Sequence, residues 1–118
     1  MQYMLLFYSA PADLERKKND AASADHWESW RAYMGAIHSA GIVKGGKALA
    51  SPEVATTIRL RDGQRQVHDG PYADTKEMLG GFLIIDVGSL DEAMVWAARS
   101  PSCNSGSTEI RPIDESPL

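Results

Sequence analysis

The spacing of apolar and polar positions changes several times along this chain, and each change marks an element. QYMLLFY (2–8) is an almost continuous apolar and aromatic run, the pattern of a strand buried on both faces. SAPADLERKKNDAASAD (9–25) is polar and reads as a connection with room for a short helical turn. In DHWESWRAYMGAIHSAG, Trp27, Trp30, Met34, Ile37 and Gly41 recur at spacings of three and four, while Glu28, Arg31 and Ser39 fall off that stripe. This predicts a first helix over about 24–40, with Gly41 just past its end. IVKGGKALA (42–50) follows as a strand with a glycine irregularity. VATTIRLR (54–61) and RQVHD (65–69) flank Asp62-Gly63-Gln64, and Asp-Gly between two strand runs is a hairpin signal. FLIIDV (82–87) is another apolar strand. Ser89 and Glu92 fit a capping box, so a second helix starts there and stops at Pro101. SCNSGS reads as loop, TEIRPI (108–113) as a last strand and DESPL as a tail.

With the hairpin set aside, the order is two strand–helix–strand halves. That predicts an α+β, ferredoxin-like split β-α-β fold with an inserted β-hairpin, in one domain over residues 1–118. Two helices cover one face of such a sheet. Yet Tyr3, Leu5 and Phe7 alternate with Met4, Leu6 and Tyr8, and Leu83, Ile85 and Val87 with Phe82 and Ile84, so both faces are apolar. A second copy of the chain is the simplest cover, giving a homodimer.

Composition narrows the function classes. The 118 residues are 43% hydrophobic and 24% charged with a net charge of -4, an ordinary globular balance. There is no basic block, so nucleic acid is not an expected partner. No apolar run approaches the roughly 18 residues of a membrane span, so no membrane is expected either. Cys103 is the single cysteine, which rules out an intrachain disulfide and makes a cytoplasmic location the default. One cysteine and three scattered histidines give no metal-ligand pattern, and no cofactor motif occurs.

The candidate chemistry gathers around HDGPYADTKEMLGGF (68–82). It turns on Gly70-Pro71, carries Asp69, Asp74, Lys76 and Glu77, and enters a strand through Gly80-Gly81, which suggest close backbone approach or a bulge. Asp69 shares strand parity with Val67. If that side is inward, Asp69 is placed as a general base; otherwise it closes a turn with its own side chain. His26 is either an acid–base group or an exposed helix-start residue. Trp27 and Trp30 line a pocket for a flat ligand or pack helix on sheet, and Tyr72 is a further aromatic contact. Arg31, Lys47 and Lys76 are anion contacts or solvated surface. His38 and His68 read as surface, and Cys103 as incidental.

Asp69-Gly70-Pro71-Tyr72, Asp74-Thr75-Lys76-Glu77, Leu79-Gly80-Gly81-Phe82 and Ser89 to Ala93 together resemble the DGPF-type branch of the YCII-related proteins, with Tyr72 in place of the commoner phenylalanine. The likeness extends to YMLLFY and AGIVKGGKAL and so covers nearly the whole chain. The resemblance implies a homodimeric α+β barrel, and some members occur beside or fused to sigma factors. The YCII branch carries a histidine on its first helix and an aspartate as a proposed pair. That histidine's position falls on Trp30, with His26 one turn earlier, so the pair does not carry over residue for residue. Three readings follow. One is a cofactor-free acid/base enzyme on a small anionic or aromatic ligand, with Asp69 as base, His26 as proton partner and Lys76 or Arg31 as charge partner. The second is a non-catalytic ligand-binding or regulatory module in a sigma-factor system. The third is a purely structural dimer. The expected cleft lies between the first helix, the hairpin and residues 69–81.

Overall fold

The computed structural model describes residues 1–18, 20–73 and 75–116, with the side chains of residues 15–22 set aside, so Asp74 and the end of the predicted tail lie outside the described residues. The elements are β1 (Gln2–Ser9), α1 (Pro11–Lys18), α2 (Asp20–Ser39), β2 (Val43–Ala48), β3 (Thr56–Arg61), β4 (Gln64–Asp69), β5 (Met78–Asp86), α3 (Leu90–Ala98), α4 (Ser102–Ser105) and β6 (Ser107–Pro112). A four-stranded antiparallel sheet runs in the order β2-β5-β1-β6, and β3 and β4 form a separate two-stranded sheet. Without that hairpin, this is the ferredoxin-like order that the alternating elements predict.

Strand parity sets the core. Tyr3, Leu5 and Phe7 of β1 and Leu83 and Ile85 of β5 are buried under Tyr33 and Ile37 of α2 and Ala93 and Ala97 of α3. Met4, Leu6, Phe82 and Ile84 point to the other face and stay half-buried. The Tyr33 hydroxyl donates to the Trp96 carbonyl at 2.8 Å, tying α2 to α3, and its burial pushes the phenol well above its ordinary range. Ser89 caps α3, accepting from the Glu92 N–H at 3.2 Å, while the Glu92 carboxylate reaches back to the Gly88 N–H at 3.3 Å.

Several boundaries differ from the sequence expectation. The connection after β1 is helical: Pro11 occupies the first turn, and the Asp13 carboxylate accepts from the Ala10 N–H at 3.1 Å, capping α1. α2 begins at Asp20, before the expected start, and ends at Ser39, with Gly41 at φ 74. Residues 102–105 form a helical turn where a loop was expected. β5 starts at Met78 because Gly80 and Gly81 lie within it.

Gly81, and Gly46 of β2, are required by close approach. β1 pairs Phe7 with Gly81 and Tyr8 with Leu79, leaving Gly80 as the extra residue of a bulge. A Cβ on Gly81 would sit 2.9 Å from the Lys47 carbonyl oxygen, and one on Gly46, at φ 152, would sit 2.5 Å from the Phe82 carbonyl oxygen. Gly46→Ala is therefore expected to destabilise the fold by about 2–4 kcal/mol, from backbone strain plus overpacking. Denaturant unfolding measures this; a loss below about 0.5 kcal/mol would contradict the close β2–β5 approach.

Candidate functional site

Helix α2 separates two cavities, one polar and one apolar. The stripe that predicted α2 is rotated from its expected phase. The buried row is His26, Tyr33 and Ile37, with Trp30 and Met34 half-buried beside it, while Trp27 is 44% exposed. Phe7, Trp30 and Tyr33 make edge-to-face contacts at centroid distances of 5.1 Å for Phe7–Trp30 and 5.9 Å for Trp30–Tyr33. Turning that aromatic cluster onto the sheet brings His26, one turn before Trp30, inward to 9% exposure. The Trp27 ring meets the His26 ring edge-on at 4.9 Å.

The polar cavity measures about 330 Å³ and lies between the end of β1, α1, the N-terminal half of α2 and the segment through α4. His26, Asp13, Asp25, Ser29, Trp30 and Ser105 are among its walls. Asp13 is 4% exposed, and Ser105 donates its hydroxyl to the Asp13 carboxylate, 2.7 Å from each oxygen. With the Ala10 N–H on the same carboxylate, Asp13 is held by partners from both ends of the chain. The Ser29 hydroxyl donates to the Asp25 carbonyl at 3.1 Å, so it is oriented by its own helix. An imidazole and a fixed carboxylate on the walls of one cavity suit proton transfer to a small molecule.

The apolar cavity, about 420 Å³, shares Trp27 and residues of the 69–81 segment with the cleft expected from the sequence, but the hairpin expected as a further wall does not line it. Trp27 and Leu14 form one wall, Leu49 to Glu53 a second, and Pro71 with Met78 to Gly80 the third. The expected chemistry does not collect there. Asp69 shares a face with Val67, as parity requires, but that face is exposed, because among the described residues β4 pairs only with β3 and none covers that side of the hairpin. Asp69 lines neither cavity. Placement as an inward base is thus corrected for the single chain: the carboxylate stands on an outlying strand pair. Tyr72 is exposed, with its carbonyl accepting from Arg59 at 3.4 Å and the Arg59 guanidinium 5.6 Å from its ring centre. Arg31, Lys47 and Lys76 are exposed and line neither cavity. Glu77 accepts from the Ser107 hydroxyl at 2.7 Å. Of the candidate site residues read from the sequence, His26 and Trp30 share the polar cavity and Trp27 lines the apolar one.

Asp13, Ser29 and Ser105 line the polar cavity and were not singled out from the sequence. For Asp13 a signal existed, since Pro11 followed by an acid two positions later is a helix-start pattern. Ser105 carries no such signal; its role depends on a contact 92 residues away.

The sequence profile of the YCII-related domain matches residues 1–116. An uncharacterised protein of Rhizobium meliloti (strain 1021) is 45% identical over 67 residues, 55% of this chain and 54% of that protein, so the match spans about half the length of that curated relative. Among solved structures, 5-chloro-2-hydroxyhydroquinone dehydrochlorinase (TftG) of Burkholderia phenoliruptrix AC1100, in complex with 2,5-dihydroxybenzoquinone, superposes with a TM-score of 0.58 at 17% identity, covering 98% of this chain and 96% of that one. At that identity the likeness is one of fold.

Proposed function

Because this chain belongs to the YCII-related domain family, whose fold hosts small-molecule sites, we propose that it is a small-molecule enzyme that moves protons without a bound cofactor in the cavity between α1, α2 and α4. The observation that carries this reading is the burial of His26 and Asp13 on the walls of one cavity. His26 takes the role of proton carrier, and Asp13 supplies a fixed charge on the wall of the same cavity. Such groups remove a proton from a substrate hydroxyl or activated carbon, and the electron pair left behind expels a leaving group or shifts a double bond. A volume of about 330 Å³ suits a single-ring substrate. A hydroxylated ring is the class we favour, because the structural neighbour is a dehydrochlorinase bound to a hydroxylated quinone.

The working assembly in this proposal is a homodimer joined through the half-buried sheet face. The experiment is a turnover assay on hydroquinone-type substrates with and without a halide leaving group, followed by absorbance at neutral pH. Saturable turnover with halide release or isomerisation supports the enzyme. The apolar walls around Trp27 favour a second reading, a non-catalytic ligand-binding module. Tight ligand binding without turnover over the whole panel would select that one.

A further inference from the structure

We infer that the β3–β4 hairpin is an arm that clasps a second copy of this chain, with Ile58, Leu60 and Val67 as its contact face. The inference rests on the homodimer reading above and goes beyond it by assigning the hairpin to the contact. These three residues are 60%, 67% and 57% exposed. Ile58 is directly opposite Val67, and strand alternation puts Leu60 on the same side. The opposite side carries Arg59, Arg61, Gln64, Gln66 and His68. The side with Ile58 also carries Thr56, Arg65 and Asp69, so Ile58, Leu60 and Val67 form an apolar patch flanked by charged residues, whereas the opposite side is polar throughout. A strand pair with one apolar patch is suited to being covered once.

The hairpin is constructed to hold its shape. Asp62 and Gly63 take positive φ values of 53 and 75, the tight turn that matches strand twist. At its root, the Gly70 N–H donates to the Ala55 carbonyl at 2.7 Å, and the Thr57 hydroxyl to the Gly70 carbonyl at 2.9 Å. Two strands alone are marginally stable in water, so an ordered pair of this kind calls for a covering surface. The molecule is also spread out. Its radius of gyration is 16.1 Å and its extents are 48 × 45 × 18 Å, against roughly 13–14 Å expected for a compact chain of this length.

Interface size argues for a second copy as the occupant. With strands about 4.8 Å apart and about 3.3 Å of rise per residue, the half-buried face of the four-stranded sheet offers roughly 400 Å². A standard stable interface takes about 800 Å² per partner. The hairpin adds roughly 200 Å² by the same reckoning, and in a two-fold contact each copy both gives an arm and receives one. As flat footprint, an arm given and an arm received together add about as much as the sheet face itself, which favours a two-fold partner that does both.

The test compares three proteins by sedimentation over a dilution series: the wild type, the triple variant Ile58→Thr/Leu60→Thr/Val67→Thr, and Ile84→Glu in the sheet face. Threonine keeps strand preference while removing apolar contact. The wild type is expected to be a dimer, with the triple variant's dissociation constant raised at least about a hundredfold. Trypsin cleavage at Arg59, Arg61 and Arg65 gives a second readout that needs no folded triple variant. Those bonds should be protected in the wild-type dimer and cut at least tenfold faster in monomeric Ile84→Glu. Unchanged dimer affinity in the triple variant, or equal cleavage in dimer and monomer, would overturn the arm while leaving the homodimer standing. A monomeric wild type would overturn both.

Discussion

Replacement of His26 by Asn is expected to lower turnover about 10²–10⁴-fold, the range for removing a positioned proton-transfer group, with the fold retained. Asparagine keeps a polar side chain of shorter reach in the same buried position but cannot carry the proton. The loss should appear in kcat and kcat/KM together, since proton transfer stabilises the transition state more than the bound substrate. His38→Asn is the matched control. His38 lies on the same helix, is exposed, and contacts the Met34 carbonyl at 2.8 Å through Nδ1, away from the cavity. It should keep turnover within about twofold, the usual scatter for a surface change. Asp13→Asn tests the partner: it preserves an acceptor for Ser105 and the Ala10 N–H but removes the charge. A loss like that of His26→Asn places both in one unit. If Asp69→Asn were the variant that abolished turnover while His26→Asn did not, the base would belong to the hairpin and the cavity assignment would fall.

Ile84→Glu is expected to convert the protein from dimer to monomer at low micromolar concentration. Met4 pairs with Ile84 and Leu6 with Phe82 across β1 and β5, so four half-buried apolar side chains form one patch at the centre of the sheet face. The rim is polar. Lys47 lies beside Phe82, and the Tyr8 hydroxyl and Arg111 both donate to Glu109, at 2.9 and 2.8 Å. Those partners hold the Glu109 carboxyl below its ordinary range, Arg111 contributing most. An apolar centre with a charged rim is the layout of a subunit interface. Each large side chain buried there is worth roughly 1.5–3 kcal/mol, against an association cost of several kcal/mol or more. A two-fold contact would place two glutamates from Ile84→Glu at that centre, and an uncompensated buried charge costs about 3–5 kcal/mol. In the monomer the same side chain is half in water, so the domain itself should stay folded by circular dichroism. A monomeric wild type, or an Ile84→Glu protein that remains dimeric, would remove the sheet face from the assembly.

The sheet was legible because its signals are local. Alternation in QYMLLFY and FLIIDV assigned each buried residue to its face, and Ser89 with Glu92 marked the start of α3. Gly80-Gly81 announced a close approach that the bulge and the Lys47 contact explain. α2 was legible as a helix but not in its phase. Trp27 and Trp30 are one turn apart and equally apolar, so periodicity cannot say which one faces the sheet. Packing against Phe7 decides it, and the outcome turns His26 inward and Trp27 out. Asp69 shows the limit of parity reasoning: parity tells which residues share a side, and only tertiary contact tells whether that side is covered. The polar cavity was least legible, because its carboxylate is held by a serine from the far end of the chain.

The proposed reactive cavity is tested most directly by a crystal structure of the protein soaked with a small hydroxylated quinone. The account predicts one ring between α1, α2 and α4, with an oxygen within hydrogen-bond distance of the His26 imidazole. A ring seated instead against Trp27 and Pro71, or on the hairpin beside Asp69, would contradict it.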